Sequence, residues 1–517
     1  MKKQLCKSAL CAVLCIHWLI PQASLFAQSA NEDFPQIGRY KTENNGGFFG
    51  ILSVFQAKDV PKAGLENSPR IESLMRDGKL ELSLSEALAL ALENNLDVAI
   101  QRYIPEFSQT DLLRSQAGQS PRGFTGSSTP GGLTSGALGA GISGSSTGSG
   151  VGSAGGITGG GGAVQVGSSG NFDPTLNVNF SYNNVTSPLN SRIVSGIYDV
   201  DAENTAFTAS YAQLFSLGTS ISLTLNGQRQ SSTQQNLLFN PATVTRFALG
   251  LNQPLLNGFG RMSNERYIIV ARNNTSVAEE VFRLQVITVV VAVENAYWDL
   301  ASLQESVKVA GQALAVAQQL HKDNQIRLDV GTMSPLDVTS AESEVAARTR
   351  DLTIATTNLQ LQEATLKNML ARRVSPQLDA ARIILKDPMP EPRQTDIPEL
   401  ETALAAAMEK RPELNQAETN LKNQDISVRY TDSSLKPALS VFGFYAGAGL
   451  QGQTSESQSG MLDALSQSFS GKYPEYATGL SLSISLRNRT AQADNLRSQL
   501  EKNQLLITQQ RSRNTIS

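Results

Sequence analysis

Few residues in this sequence have the types that chemistry requires. Its three cysteines, Cys6, Cys11 and Cys15, and one of its two histidines, His17, crowd at the start; only His321 lies further on. Cys- or His-based metal sites and imidazole acid–base pairs are therefore excluded from most of the chain. Gly159 to Gly162 imitate a phosphate-binding loop, but no Lys-Ser or Lys-Thr follows to supply the charge and the magnesium ligand. Glu342 and Glu344 share one helical pattern instead of converging from several elements, so they read as solvated carboxylates. His321 continues a heptad seam and reads as a packing or lining residue, not a ligand. The expectation is a protein that is not an enzyme, with no catalytic, cofactor or metal residues. The more distinctive spacing is Val330-Gly331-Thr332 followed by Leu336-Asp337, set between two helical patterns. Glycine permits a tight turn there. A plain helix connector, with Asp337 stabilised by the helix dipole, is one reading of it.

The elements around that turn are unusual. Met1 to Ala27 reads as a secretory signal: Lys2, Lys3 and Lys7 precede an apolar run from Leu10 to Ile20, then Pro21 and small residues. An uncleaved anchor and a lipoprotein signal are the alternatives. Beyond Ala27 the chain holds 40 basic and 46 acidic residues, a net charge of −6, which argues against a nucleic-acid surface. No later apolar run reaches the ~18 residues of a membrane helix, so a membrane-spanning form would have to be a closed β-barrel. Residues 28–81 read as an extended N-terminal arm. Leu82 to about Gln116 reads as helix, opened by a Ser83/Glu86 capping box and broken near Pro105. Residues 117–170, dominated by Gly, Ser and Thr, read as a flexible insert.

Strand signals fill 172–254. Leu176, Val178, Phe180 and Tyr182 alternate with polar residues, as do Phe207/Ala209/Tyr211, Ile221/Leu223/Leu225 and Phe247/Leu249/Leu251. Leu480, Leu482, Ile484 and Leu486 repeat the pattern inside a second strand region at about 437–487. Such a sheet could close a soluble core, or face lipid on one side and a wet lumen on the other. Phe172, Phe180, Tyr182, Phe207, Tyr211, Phe247, Phe442, Phe444 and Tyr445 could form interfacial girdles or fill crevices. Residues 263–371 read as a helical hairpin. Val286, Val293, Leu300, Val307 and Leu314 recur every seven residues, with Val289, Ala296, Leu303, Ala310 and Ala317 three later. Val338, Val345, Leu352, Leu359 and Leu366 continue the seam after the turn. A helix of about 65 residues would reach roughly 100 Å.

The chain also repeats itself. Glu86 to Leu96 resembles Glu401 to Leu414, Phe172 to Val178 resembles Leu435 to Val441, and Phe247 to Arg261 aligns with Tyr476 to Arg489. The first copy covers 82–387, a Pro-rich link 388–398, and the second copy 399–517, whose last helix begins near Thr490. With Gln253-Pro-Leu-Leu-Asn-Gly-Phe-Gly-Arg261, Asn295-Ala-Tyr-Trp-Asp-Leu300 and Arg327 to Val338, the sequence resembles the TolC-like outer-membrane efflux protein family over about 82–517. The resemblance implies an α+β membrane protein with β-barrel strands continuous with long antiparallel coiled-coil hairpins that form an α-helical tunnel. The second hairpin is truncated at Ser517, so a fragment or a degenerate channel is one expectation. The resemblance further implies a homotrimer in the bacterial outer membrane extending into the periplasm. Its partners would be a periplasmic adaptor and an inner-membrane pump, or a type I secretion apparatus. Val330, Gly331, Thr332, Leu336 and Asp337 would form the adaptor-docking tip, with Asp337 at a position that helps hold the tunnel mouth closed. The implied function is a passive exit duct without cofactor; a non-transporting coiled-coil scaffold or inactive fragment is the alternative.

Overall fold

The computed structural model describes Val60 and residues 62–133, 172–188, 198–233, 237–389, 399–453 and 460–517. The chain divides into two compact units, Met1–Glu66 and Asn67–Ser517. In the first, only Val60 and residues 62–66 are described, and all are exposed. The signal segment, Gly159 to Gly162 and residues 390–398 of the Pro-rich link lie outside the described residues. The rest concerns the second unit.

Helix α1 (Pro69–Leu74) leads into strands β1 (Met75–Arg76) and β2 (Lys79–Leu82), an antiparallel pair. Asp77 and Gly78 turn it, both at positive φ (48° and 71°). A loop of two left-handed residues matches the twist of the strands it joins. The arm expected to run to residue 81 is therefore structured from Pro69 onward. Leu80 and Leu82 are buried because β2 pairs in parallel with Arg382–Leu385, three hundred residues away. Helices α2 (Leu84–Asn94), α3 (Leu96–Gln101) and α4 (Tyr103–Gln116) follow. The capping box forms: the Glu86 carboxylate accepts from the Ser83 amide (2.8 Å) and hydroxyl (2.9 Å), which holds its pKa below the usual value. The break expected near Pro105 falls three residues before it, at Arg102. Pro105 sits in the first turn of α4, where no N–H is needed, and a further break falls at Asn95. The Asn95 side chain accepts from the Asp97 and Val98 amides and starts α3.

The Gly/Ser-rich segment expected to be flexible is ordered through its first part, 117–133. The Asp111 carboxylate accepts from the amides of Arg122 and Gly123, and Leu133, in a 3₁₀ turn (Gly131–Leu133), is fully buried. Its carbonyls are taken up by side-chain amides from distant helices, which composition does not reveal.

Strands β3 (Thr175–Pro188), β4 (Asp199–Leu214), β5 (Ser220–Ser232) and β6 (Ala242–Pro254) run antiparallel in sequence order. The exit from β6 passes Gly258 and Gly260 at positive φ, and the Asn264 side chain donates to both carbonyls at 2.9 Å. After α5 (Arg261–Asn264), α6 (Arg266–Asp329) runs 64 residues and α7 (Pro335–Leu370) returns 36. Helix α8 (Pro376–Ala380) and β7 (Arg382–Leu385), which completes the small sheet β1-β2-β7, end the first half. The second half holds α9 (Leu400–Lys410), α10 (Pro412–Ser434), β8 (Ala438–Gly452), α11 (Met461–Phe469), β9 (Pro474–Ser483) and α12 (Arg489–Ile516). The second strand region thus contains an unforeseen helix, α11, and Ile484 and Leu486 lie beyond β9.

Strands β8 and β9 extend the large sheet to the order β3-β4-β5-β6-β8-β9, antiparallel throughout. Two apolar clusters stabilise the helices. The larger joins the α6–α7 hairpin to α2 and the small sheet through Leu82, Val293, Tyr297, Leu300, Leu366 and Ile383. The smaller surrounds Leu133 with Tyr267, Val270, Ile426 and Tyr430.

Candidate functional site

The turn between α6 and α7 is built by helix-termination chemistry. The Gly331 amide donates to the Leu328 carbonyl and the Thr332 amide to the Arg327 carbonyl, both at 2.9 Å, with Gly331 at φ +77°. This pairing is a Schellman motif, which places a left-handed residue one past the helix cap. Ser334 caps the next helix, accepting from the Leu336 amide at 3.2 Å, and Pro335 takes the first helical position. The result is a rigid turn whose large side chains have nothing to pack on: Val330 and Leu336 are 70% and 76% exposed. Thr332 and Asp337 are exposed beside them. Asp337 makes no ion pair among the described residues and sits in the first turn of α7.

The heptad seam holds the hairpin below this tip. Val289, Val293, Ala296, Leu300, Ala317, Leu359 and Leu366 are buried; Val286, Leu303, Val307, Ala310, Leu314, Val338, Val345 and Leu352 are half-buried. His321 is half-buried on the same helix. A second apolar stripe, which the heptad count passes over, lies exposed on the same two helices. It comprises Ile287, Val291, Val309, Val316 and Leu320 on α6, with Ile354 and Leu361 on α7. An open groove of about 500 Å³ runs beside it, lined by Glu305, Val309, Ala313, Arg348, Asp351 and Met389. Arg348 is paired with Glu344 and Asp351, so these carboxylates are part of a surface ion network.

The large sheet has two unlike faces. Register places Leu176, Tyr211, Leu223, Leu249, Tyr445 and Tyr476 in one row on one face. Phe180, Val178, Leu251 and Leu480 share that face and are exposed. The opposite face carries Asn177, Ser210, Ser222, Ala248 and Ala446. Ser222, Ala248 and Ala446 on that face are buried. Of the aromatic residues considered for outer girdles, Phe442 and Phe444 fall on the inner, polar face, where Phe442 lies over Gly479. Phe180, Tyr182, Phe207, Tyr211, Phe247 and Tyr445 fall on the apolar one. Strands of 10 to 16 residues match or exceed the 9 to 11 that cross a bilayer. No described helix is long and apolar enough to cross a membrane. The sheet is open: β3 and β9 are its edges.

Residues 174–372, from the start of β3 to the end of the α6–α7 hairpin, match the family described as Outer membrane efflux protein. No curated protein matches the chain. Among solved structures, the CmeC outer membrane channel of Campylobacter jejuni is 14% identical, with a TM-score of 0.47, over 88% of this chain and 76% of that one. The outer membrane protein VceC of Vibrio cholerae is 12% identical, with a TM-score of 0.47, over 84% of this chain and 75% of that one. The MtrE outer membrane channel of Neisseria gonorrhoeae is 12% identical, with a TM-score of 0.41, over 84% and 70%.

Proposed function

We propose that this chain, with its Outer membrane efflux protein segment at 174–372, is a subunit of an outer-membrane efflux channel whose helices extend into the periplasm. The observation that carries this is the large sheet, with exposed Leu, Val, Phe and Tyr side chains on one face and Ser, Asn and Ala on the other. In water the apolar face would be an aggregation surface; in a bilayer it is the required one. An open sheet cannot span a membrane, because its edge amides and carbonyls would go unpaired in lipid. Closure therefore comes from further copies. Six strands is an even number, so β9 runs opposite to β3, and β3 of one copy can pair antiparallel with β9 of the next. Three copies make 18 strands, a size that leaves an aqueous channel. The exposed second stripe on α6 and α7 then packs against neighbouring helices in the assembly.

The channel acts as a passive duct. Its polar inner face binds nothing tightly, and the driving energy comes from an inner-membrane pump joined through a periplasmic adaptor. The adaptor's helical hairpin docks at Val330, Gly331, Thr332, Leu336 and Asp337, where two exposed apolar side chains flank a rigid turn. A type I secretion system would use the same duct. The test is reconstitution of the purified chain in planar lipid bilayers. Stepwise conductance from a protein that needs detergent for extraction is expected. Release into a detergent-free periplasmic extract, with no conductance, would overturn the reading in favour of a coiled-coil scaffold.

A further inference from the structure

Helix α11 (Met461–Phe469) lies on the apolar face of the large sheet, at the end away from the long helices. Under it that face has lost its large side chains. Across the register, Phe180 and Phe207 are followed by Gly227, Thr245 and Gly449 in the same row. The glycines are what let the helix approach. A Cβ on Gly447 would land on the Ser468 carbonyl, one on Gly449 on the Ala464 carbonyl, and one on Gly227 on the Met461 methyl group. The Leu450 amide donates to the Gln467 side chain at 2.9 Å, and the Phe469 ring sits 4.7 Å from that of Phe247. The helix covers Thr243 and Thr245, leaving Thr245 1% exposed. In their place it shows Leu462 at 80% and Phe469 at 53% exposure. Its one charged residue, Asp463, accepts from the Gly460 amide at 3.0 Å, at the end of the helix.

We propose that α11 is a lipid-facing part of the channel wall, placing Leu462 and Phe469 against acyl chains in the outer half of the bilayer. The inference rests on the channel reading, since it needs the apolar face of the sheet in lipid. Its physical basis is continuity. A patch of glycine and threonine on the lipid side would leave hydroxyls and thin wall toward hydrocarbon, and the helix sets Leu462 and Phe469 over it, with exposed Ser466 between them and exposed Asp463 confined to its first turn. The helix is short and amphipathic, and the Gln467 side chain ties it to the sheet through the Leu450 amide.

Site-specific fluorescence tests this in the full chain, with Cys6, Cys11 and Cys15 changed to serine and the protein reconstituted into phospholipid vesicles. An environment-sensitive probe is attached at Leu462→Cys, at Leu251→Cys on the bare apolar face, and at Val330→Cys on the tip. Brominated phospholipid is expected to quench Leu462→Cys and Leu251→Cys several-fold more than Val330→Cys. Quenching at Leu251→Cys but not at Leu462→Cys, with iodide reaching the latter, would overturn the role of α11 and leave the channel standing. Absence of lipid quenching at both would overturn the channel reading as well. Energy transfer between Leu462→Cys probes of neighbouring copies, without lipid quenching, would assign the helix to a subunit contact instead.

Discussion

The packing along α6 changes character between Val277 and Val289. Near the sheet, its partners include α10 and the strap 118–133, and paired polar side chains stand beside the small apolar cluster around Leu133. The Asn423 side chain donates to Asn274 at 2.8 Å and to the Ser128 carbonyl at 3.3 Å, and accepts from Asn273 at 2.8 Å. Further across, Gln424 donates to the Ser498 carbonyl, Ser427 meets Ser498, and Asn495 reaches Thr431. The Arg266 guanidinium lies between the rings of Tyr267 and Tyr430, at 4.4 and 4.2 Å. Beyond Val289 the same helix meets α7, α2 and the small sheet through Leu, Val and Ala. Burial of aliphatic groups contributes most of the free energy but is tolerant of sliding. Paired amides contribute little net energy, yet they are satisfied in one register only, because a shifted helix leaves them buried and unpaired. The polar region therefore sets how the helices leave the sheet, and the apolar region holds them together over their length.

Three substitutions would break or sharpen this contrast. The largest effect is expected at Leu300, which is fully buried in the apolar region. Leu300→Ala should cost about 3 kcal/mol through lost burial and the cavity left behind. A lowered urea midpoint, followed by circular dichroism, would show it; an unchanged midpoint would mean the hairpin does not depend on its seam. Next, Asn423→Ala should cost about 2 kcal/mol, because it strands Asn273 and Asn274 in a buried site. The double change Asn274→Leu with Asn423→Leu should recover much of that stability while broadening the distance distribution between spin labels on α6 and α10. An equally narrow distribution would remove the register role.

The smallest effect is at Tyr297, whose hydroxyl donates to Asp387 at 3.0 Å and to the Leu82 carbonyl at 3.2 Å. Burial, together with Asp387, pushes its phenol up to about 12 from 10.0. A raised folded pKa favours the neutral form, so this contribution is complete below pH 10 and is lost as pH climbs from 10 to 12. Tyr297→Phe should cost about 1 kcal/mol at neutral pH and flatten that alkaline decline. A variant with the same alkaline slope as the parent would exclude Tyr297 as its source.

Much of the architecture is legible in local patterns. The strand alternations at 176–182 and 247–251, the heptads from Val286 and the Gly331 turn each depend on residues close in sequence, and each element forms where its period says. The Asp77-Gly78 hairpin carries an equally local signal, a two-residue turn before alternating leucines, inside the stretch 28–81 whose sequence otherwise reads as an extended arm. Helix α11 is different. Its apolar spacing is short, and what it covers is a row of Gly227, Thr245 and Gly449 spread over three strands. Leu133 is similar: a lone leucine in a Gly/Ser run gains its meaning from Tyr267 and Tyr430. The candidate tip follows directly from residue spacing, whereas the exposed stripe through Val309 and Val316 is defined only by the burial of the heptad positions against α7.

By itself, the sequence determined which segments are strands and which are long helices, where the hairpin turns, and that one sheet face is apolar and the other polar. These follow from periods of two and seven and from the backbone demands of Gly, Pro and capping residues, which act within a few residues. The tertiary structure alone decided that β8 and β9 extend the sheet begun by β3 to β6 and that β2 finds β7. It also decided that the strap docks between α6 and α10, and that a helix fills the bald patch on the sheet. Each of those depends on groups far apart in the chain, whose hydrogen bonds and burial exist only after the elements have met.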